Sequence, residues 1–348
     1  MTGGTILVVG GGVLGWAIAG DLARAGRTVR VVAPEGDART ASVGSLAWLN
    51  ASTATDPGYV RLRRAALAGW RDWAGAGAPV RFGGSLFWGP DANAATAARL
   101  RALGCPVARM DEAGIAAVAP GLRHPPETGL FVADEGCADP TLILLWLRAR
   151  AEAAGATHLP GQAVALGQGT LRLDDGTTLD ADHTVVAAGE GASALLATAG
   201  LDLQVAGKPG LLIRTTPGRP VSDAVFATPS YDFWQRDDGA FLIASSLATG
   251  TGDADDLIAA EATAHVATLF DLPDLRVADR IARTRPIPSD GLPLLGRWPD
   301  RDDLSVAVTH SGLTLAPIIA ACIAAPLTGR DMPRDIAHLR PDRALQGA

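Results

Sequence analysis

The amino-acid sequence predicts a mixed α/β protein, in which a Rossmann-like nucleotide-binding fold is interrupted by β-rich segments. Three observations support this fold class. Residues Thr5–Pro34 have the pattern of a strand, a glycine turn, a helix and a second strand. Thr184–Ala188 is a continuous apolar run that ends at Gly189, as expected for a parallel strand buried on both faces. Between Leu211 and Ser245, short strands follow one another without a helix, which indicates a separate sheet.

The turn after the first strand has the sequence GGGVLG at residues 10–15, in which Gly10, Gly12 and Gly15 form a GxGxxG motif. Each glycine has its own physical reason. Gly10 permits the tight turn, Gly12 lets the backbone approach a pyrophosphate, and Gly15 lets the helix pack against the strand. The amides at the start of the helix then face the anion. Because the motif lies between a strand and a helix, the sequence predicts dinucleotide binding.

The end of the second strand departs from the usual pattern. In dinucleotide folds an acidic residue at this position holds a ribose hydroxyl group. Here the position is Ala33, and the nearest acids are Glu35 and Asp37. Either could replace the missing carboxylate, but only from a displaced loop.

Composition excludes several classes of partner. The net charge is −7 and Lys208 is the only lysine, so no basic stripe is available for nucleic acid. Cys105, Cys137 and Cys322 are far apart and form no CxxC, which favours reduced thiols and a cytoplasmic protein. The six histidines show no paired metal-binding spacing, and no metal is expected.

No targeting or membrane segment is expected either. No cationic stretch leads an apolar region near the first strand. The uncharged run Leu313–Leu327 is shorter than the ~20 residues that a membrane span needs, and Pro317 and Pro326 interrupt it. We interpret it as a buried core helix.

The order of the segments predicts a discontinuous domain plan. Asp56-Pro57 and Asp139-Pro140 each predict the start of a helix, with aspartate as N-cap and proline at the first helical position. The nucleotide-binding pattern opens the chain and recurs after Asp139 and after Gly291, with β-rich segments between. The predicted nucleotide-binding domain comprises residues 1–78, 138–206 and 286–348, and the predicted second domain comprises 79–137 and 207–285.

The chain resembles the FAD-dependent D-amino-acid oxidase, glycine oxidase and sarcosine oxidase family through an ordered set of motifs that runs nearly end to end. These are the GxGxxG motif, the small-residue loop Thr40–Ser45, Asp139-Pro140, Val185–Gly189, Arg285-Pro286, Asp290–Pro293 and His310–Pro317. The resemblance implies an FAD-binding domain of the GR2 type and an inserted substrate-binding domain built on an antiparallel sheet. It also implies FAD as the cofactor. Because neither Cys nor His occurs in Arg39–Ala51 or near Arg285, non-covalent binding is expected.

The resemblance assigns cofactor contacts residue by residue. In the family, the Gly-Leu-Thr turn lies beneath the flavin pyrimidine ring at the start of a helix, where its amides and the helix dipole would stabilise negative charge on the reduced flavin. The expected FAD-binding residues are Gly10, Gly12, Val13, Leu14, Gly15, Glu35, Thr40, Ala41, Ser42, Ser45, Val164, Ala188, Gly189, Gly312, Leu313 and Thr314.

Arg285 is the expected substrate ligand, since the resemblance places it at the family's carboxylate-binding arginine. A planar guanidinium forms two parallel hydrogen bonds to a carboxylate, which lysine cannot do. A structural ion pair is the alternative, and Arg283 is a rival for the same role. His310, beside the flavin turn, could polarise flavin or substrate, or could be an ordinary turn histidine.

Aromatic residues of the β-rich block are further candidates. Tyr231 and Phe233 share one face of a strand and Trp234 takes the other, because side chains alternate along a strand. Either face could line the substrate site or belong to the core. Trp48 and Asn50 follow the flavin loop and could reach the ring or only pack. Lys208 could lie by the flavin, as a lysine does in some relatives, or be an ordinary surface charge.

The resemblance predicts FAD-dependent oxidation of a small-molecule amine or amino acid, with Arg285, Tyr231 and His310 at the reacting centre. Hydride would pass from the α-carbon to flavin N5, and the resulting imine would hydrolyse. One alternative is a flavin-binding subunit of a hetero-oligomeric dehydrogenase with little activity alone. Another is a nicotinamide-dependent dehydrogenase that uses the same glycine loop. Homo- and hetero-oligomers both stay open.

Overall fold

The computed structural model describes residues 4–36, 40–248, 252–334 and 336–345. Asp37, one of the two candidate ribose ligands, lies outside the described residues. The cysteines Cys105, Cys137 and Cys322 are buried and free.

Runs of consecutive strands are separated by single helices along the described residues. The strands are β1 (Thr5–Val9), β2 (Thr28–Ala33), β3 (Trp48–Leu49), β4 (Val80–Arg81), β5 (Ser85–Phe87), β6 (Val107–Asp111), β7 (Thr128–Val132), β8 (Gly136–Ala138), β9 (Thr157–Pro160), β10 (Ala163–Leu166), β11 (Thr170–Leu173), β12 (Thr178–Asp180), β13 (His183–Val186), β14 (Val205–Pro217), β15 (Val225–Ala227), β16 (Asp232–Gln235), β17 (Ala240–Ser245), β18 (Val277–Pro288), β19 (Leu294–Arg297) and β20 (Leu304–Val308). The α-helices are α1 (Val13–Arg24), α2 (Pro57–Gly75), α3 (Ala94–Ala102), α4 (Glu112–Val118), α5 (Pro140–Ala153), α6 (Ala192–Ala197), α7 (Gly252–Phe270) and α8 (Gly312–Thr328).

The chain forms two compact units. The first comprises Met1–Val43, Thr141–Lys208 and Thr284–Ala348. Its main sheet has the strand order β19-β20-β13-β1-β2-β9. All neighbouring pairs are parallel except β19 and β20. Strands β1, β13 and β20 are almost entirely buried, which explains their continuous apolar sequences. Helices α1 and α8 pack against each other.

The second unit comprises Gly44–Pro140 and Pro209–Arg283. It is built on a sheet with the strand order β18-β14-β17-β16-β15-β5-β7-β6. The pair β15 and β5 is parallel, whereas β14, β17, β16 and β15 are joined by antiparallel pairs. Helix α7 packs on one face of this sheet through a cluster of buried phenylalanine and aliphatic side chains.

The predicted fold class is confirmed: a parallel sheet with flanking helices is combined with antiparallel sheets. The helix predicted over the apolar run after residue 312 is also present, with Pro317 and Pro326 inside α8. Among the described residues, no helix is long and apolar enough to cross a membrane. Residues 44–78, which the sequence analysis placed in the nucleotide-binding domain, pack with the second unit. The assignment of the two units to cofactor and substrate stays a prediction.

Candidate functional site

The glycine turn after β1 packs directly on the end of β13. Gly10 has a φ of 121°, which strongly favours glycine, and a Cβ atom built on it would lie 2.4 Å from the carbonyl oxygen of Ala187. A Cβ atom on Gly15 would lie 1.8 Å from the carbonyl oxygen of Gly10. These two positions therefore have no room for a side chain, as the motif predicts.

The start of α1 carries a hydroxyl group where a dinucleotide fold holds an anion. The amide of Val13 donates to Oγ of Ser42 at 3.0 Å, and a Cβ atom on Gly12 would lie 3.2 Å from the same oxygen. Gly12 is the N-cap, and its carbonyl accepts the first helical hydrogen bond from Trp16. Oγ of Ser42 thus lies at the positive end of the α1 dipole, at a position where a phosphate oxygen could accept the same amide hydrogen bond. Thr40 and Ala41 lead into this position.

Three further segments meet at this turn. Gly189 follows β13 with a φ of 57° and begins a short 3-10 helix. A Cβ atom on Gly189 would lie 4.0 Å from Pro286, the residue after Arg285. A Cβ atom on Gly312, the first residue of α8, would lie 3.5 Å from Val13 and 3.6 Å from Leu14. The first unit therefore brings together both glycine turns, the start of α8 and the end of β18.

The start of α8 presents the predicted Gly-Leu-Thr turn. Leu315 donates its amide to the carbonyl of Ser311 at 3.0 Å. The amides of Gly312, Leu313 and Thr314 precede this bond, and they lie at the positive end of the helix dipole. His310 is exposed at the preceding turn, with Nδ1 3.5 Å from Oγ of Ser311.

At the end of β2, where this chain has Ala33 and no carboxylate, the backbone contacts a polar side chain. Nδ1 of His158 lies 3.3 Å from Nη2 of Arg148, and Nε2 lies 3.1 Å from the carbonyl oxygen of Ala33. Because a guanidinium only donates, Nδ1 accepts and Nε2 carries the proton that it donates to Ala33. Arg148 also lies over the ring of Trp16, 5.3 Å from its centroid. The sequence analysis missed this arrangement because its members are far apart in sequence.

Three more of the predicted cofactor residues have the following surroundings. Glu35 is exposed two residues after β2, and Val164 is 37% exposed on β10. Ser45 belongs to the second unit, where its Oγ accepts from the amide of Ala47 at 3.0 Å. Their part in cofactor binding stays a prediction.

These features fit the pyrophosphate and flavin of FAD. The residues at the turns are small because the backbone is closely packed, and two helix starts lie beside them. Non-glycine side chains would fill the space at Gly12 beside Ser42. The one departure from the pattern is Ala33, which provides no carboxylate for the ribose.

Arg285 lies on β18 in the first unit and is partly buried, and its burial lowers the pKa of the guanidinium. Its rival, Arg283, belongs to the second unit. There it packs on Gly44, since a Cβ atom built on that glycine would lie 2.6 Å from Cγ of Arg283. The two arginines therefore have different surroundings.

Tyr231 and Phe233 face α7 in the second unit. The ring of Tyr231 lies 5.5 Å from that of His265, and Phe233 stacks on Phe226 at 5.0 Å between ring centroids. This is the core placement that the sequence left open. It supports packing for Tyr231, and a catalytic role for it stays an untested prediction.

Trp234 faces the opposite side of the sheet, where Nε1 donates to the carbonyl of Leu46 at 2.8 Å. On the same side, Nε1 of Trp48 donates to Oγ of Ser85 at 2.7 Å. Trp48 also packs on Phe87, with 5.5 Å between ring centroids. Both indoles are therefore held in place by hydrogen bonds as well as by packing.

A fully buried carboxylate, Glu135, fixes the segment after Trp48. Its Oε1 accepts from the amides of Ala51 at 2.8 Å and Ser52 at 2.7 Å. Burial raises the pKa of Glu135, and these two amides oppose the shift. The side chain of Asn50 is engaged separately: Oδ1 accepts from Nη1 of Arg63 at 2.8 Å, and Nδ2 donates to the carbonyl of Trp48 at 3.1 Å.

Asp232 is a second acidic side chain in an apolar environment, and the sequence analysis did not single it out. It shares a face of β16 with Trp234, and its burial raises the pKa of the carboxyl group to about 6. The available sequence signal was an aspartate directly before the two aromatic residues Phe233 and Trp234. Among the described residues, no group of three His, Cys, Asp or Glu side chains could hold a metal ion.

Comparisons with known proteins agree with this geometry. The sequence model of the DAO family, described as FAD dependent oxidoreductase, matches residues 5–325. Glycine oxidase from Geobacillus kaustophilus is 21% identical with a TM-score of 0.85, covering 98% of each chain. Iminodiacetate oxidase from Chelativorans sp. BNC1 is 22% identical with a TM-score of 0.83, covering 97% of this chain and 98% of that one. L-proline dehydrogenase from P. horikoshii is 18% identical with a TM-score of 0.84, covering 99% and 98%.

No curated protein sequence matches the chain. The structural matches show the shared fold, and the family model spans nearly the whole chain. The chain is an enzyme of the DAO family of FAD-dependent oxidoreductases.

Proposed function

We propose that this enzyme oxidises a small amine or amino acid with non-covalently bound FAD. The observation that carries the proposal is the position of Arg285. It is a partly buried guanidinium, and the next residue, Pro286, lies beside the second glycine turn of the FAD-binding fold. A carboxylate is the group that such a guanidinium binds best, through two parallel hydrogen bonds.

When bound, FAD supplies a two-electron acceptor for the hydride of the α-C–H bond. The residues of this chain place and stabilise the reactants. Arg285 binds the substrate carboxylate and so fixes the orientation of the α-carbon. The first-turn amides of α8, with the helix dipole, would hold the flavin pyrimidine ring and would favour negative charge there. His310 and Glu35 are the proposed accessory contacts to flavin and to ribose.

The substrate class rests on the names of similar structures. Glycine oxidase, iminodiacetate oxidase and L-proline dehydrogenase each carry an amino or imino acid in their names. Non-covalent binding is supported by the three described cysteines, which are buried and free. The hetero-oligomeric subunit receives no support from these comparisons, and the family favours flavin over nicotinamide.

The test is the absorbance spectrum of the purified protein, recorded without oxygen. We expect flavin bands that bleach on addition of one member of a panel of glycine, D- and L-amino acids and N-methyl amino acids. Readmitting air distinguishes an oxidase, which recovers colour at once, from a dehydrogenase, which needs another acceptor. A protein that takes up no FAD, or whose flavin is bleached by no amine, would overturn the proposal.

Arg285→Ala tests the proposed substrate ligand. Loss of a bidentate charged contact should raise KM for carboxylate substrates by about 100-fold, with a smaller effect on kcat. Arg285→Lys should recover only part of the loss, because an ammonium group cannot bind both oxygens in parallel. Arg172→Ala, at an exposed position of the same unit, is the matched control. An unchanged KM in Arg285→Ala would remove this residue from the substrate site.

A further inference from the structure

Helix α5, in the first unit, has more apolar side chains than the chain covers. Residues Leu142–Leu147 have the sequence LILLWL, which is apolar around the whole circumference of a helix. Ile143 and Leu144 are buried, at 0% and 1% exposure. Leu142 and Leu145 are each 49% exposed, whereas every other strongly exposed large apolar side chain among the described residues lies on a separate segment. Single exposed leucines are common, but neighbouring ones on one helix indicate a contact surface.

The exposed residues of α5 follow the spacing of a coiled-coil seam. Four of them, at spacings of three, four and three residues, form what we call the α5 stripe: Leu142, Leu145, Ala149 and Glu152. These are the a and d positions of two heptads, which lie along one side of a helix. The α5 stripe therefore has the geometry that fits a second helix.

The two halves of the α5 stripe differ in size. The first half carries two leucines, and the second carries Ala149, with the exposed Ala153 beside it. A twofold axis at the level of Leu147, the middle of the stripe, makes two copies of the helix antiparallel. It places Leu145 of one copy against Ala149 of the other, and Leu142 beside Ala153. Large side chains then meet small ones, which lets the two helices approach closely.

Charge favours the same orientation. Glu152 is the charged residue of the stripe, and it accepts a hydrogen bond from Nε of Arg148 on the same helix at 2.9 Å. In a parallel pair the two Glu152 side chains would face each other and repel. In an antiparallel pair each one lies near the start of the other helix, where the helix dipole favours negative charge. The α5 stripe is therefore complementary to itself in both shape and charge.

We propose that the α5 stripe is a homodimer contact, in which two copies of this chain pack with antiparallel α5 helices. The proposal goes beyond the proposed function and does not depend on it. A pair of 14-residue helices buries less than the about 1,200 Å² of a stable interface. We therefore expect a dimer that dissociates on dilution.

The test measures the mass of the purified protein by analytical ultracentrifugation over a wide range of concentrations. The wild type should change from the mass of one chain to twice that mass as the concentration rises. Leu145→Glu places an unpaired charge in the middle of the contact and should raise the Kd of the dimer at least about ten-fold. Ala149→Glu, in the other half of the stripe, should have the same effect. Leu257→Glu, at a leucine that is 73% exposed on α7, is the control and should leave the Kd unchanged.

A second measurement tests the antiparallel orientation. Leu145→Cys and Ala149→Cys are prepared as separate variants, and the native cysteines Cys105, Cys137 and Cys322 are buried. With a mild thiol oxidant, a mixture of the two variants should form disulfide-linked dimers faster than either variant alone. The reason is that each new thiol faces the other position of the partner copy. The midpoint of thermal unfolding shows that every variant is folded.

Three outcomes would overturn the inference. A wild type that is monomeric at every concentration would leave the α5 stripe to a different protein. A dimer whose Kd is unchanged in both glutamate variants would use another surface. Faster linkage of either cysteine variant with itself than with the other would exclude the antiparallel arrangement. None of these results bears on the proposed function, which the bleaching of the flavin tests separately.

Discussion

Replacing Gly15 with alanine should disrupt the junction between β1 and α1. The new Cβ atom would lie 1.8 Å from the carbonyl oxygen of Gly10 and 3.0 Å from its carbonyl carbon. Ordinary carbon–oxygen contacts are well above 3 Å, so α1 would have to move by more than about 1 Å in a close-packed interior. Overpacking typically costs about 1–3 kcal/mol. Because the clash is with backbone, we expect the free energy of unfolding to fall by about 3 kcal/mol or more.

Gly20, on the same helix, provides the matched control. A Cβ atom built there would lie 3.6 Å from Cα and Cβ of Ala151, which is ordinary van der Waals contact. Alanine in the interior of a helix is more stable than glycine by roughly 0.5–1 kcal/mol. Gly20→Ala should therefore be neutral or slightly stabilising. The difference in unfolding free energy between the two variants should be about 4 kcal/mol.

The assay is denaturant unfolding of both variants, with and without FAD, together with titration of the apoproteins with FAD. Displacement of α1 also moves the amides that would face the pyrophosphate. Gly15→Ala should thus bind FAD more weakly than Gly20→Ala, which should resemble the wild type. The reasoning would be refuted if Gly15→Ala were as stable as Gly20→Ala and bound FAD equally well.

Substitutions at three other positions test separate contacts. Asp303 pairs with Arg301, which holds the pKa of Asp303 at about 2 against 3.8 for the free group. The stabilisation is fully present well above pH 3.8 and is lost as the pH falls through about 2, so in denaturant unfolding Asp303→Asn should cost about 1–2 kcal/mol at pH 7, after allowance for solvent screening, and progressively less as the pH falls towards 2. Ser42→Ala removes the hydroxyl group that is proposed to contact FAD beside the Val13 amide, and the Kd for FAD, measured by fluorescence quenching, should rise about five-fold. Glu135→Ala leaves two buried amides unpaired and should lower the unfolding free energy by about 2–4 kcal/mol, whereas Glu135→Gln keeps an acceptor and should lower it less.

Local sterics explain why the sequence predicted the glycine turns. Gly10 has a positive φ and Gly15 has no room for a Cβ atom, and both facts depend on residues within one βαβ unit. Helix starts such as Asp56-Pro57 are equally local, and the side chain of Asp56 does accept from the amide of Tyr59 at 2.6 Å. Signals of this kind can be read from a few neighbouring residues.

Features that depend on distant pairing could not be predicted in the same way. Alternation along β16 separates Tyr231 from Asp232, but it does not say which face a helix covers. That choice is made by α7, whose buried side chains meet the Tyr231 face from a later part of the chain. The assignment of residues 44–78 to the second unit likewise depends on long-range packing. Asp232 escaped attention because its apolar neighbours come from four other strands.

The prediction of FAD binding has two parts, pyrophosphate binding and ribose binding, and these depend on different structural features. The absence of an acidic residue at Ala33 therefore affects only the ribose contact. Pyrophosphate binding uses backbone amides, a helix dipole and the absence of side chains, and no single substitution outside the glycines removes these. Ribose binding uses one side chain, which another residue can replace. At this position the carbonyl of Ala33 is already committed to His158, which is itself held by Arg148. A ribose contact from a neighbouring acid would therefore have to come from the loop after β2, where Glu35 is exposed.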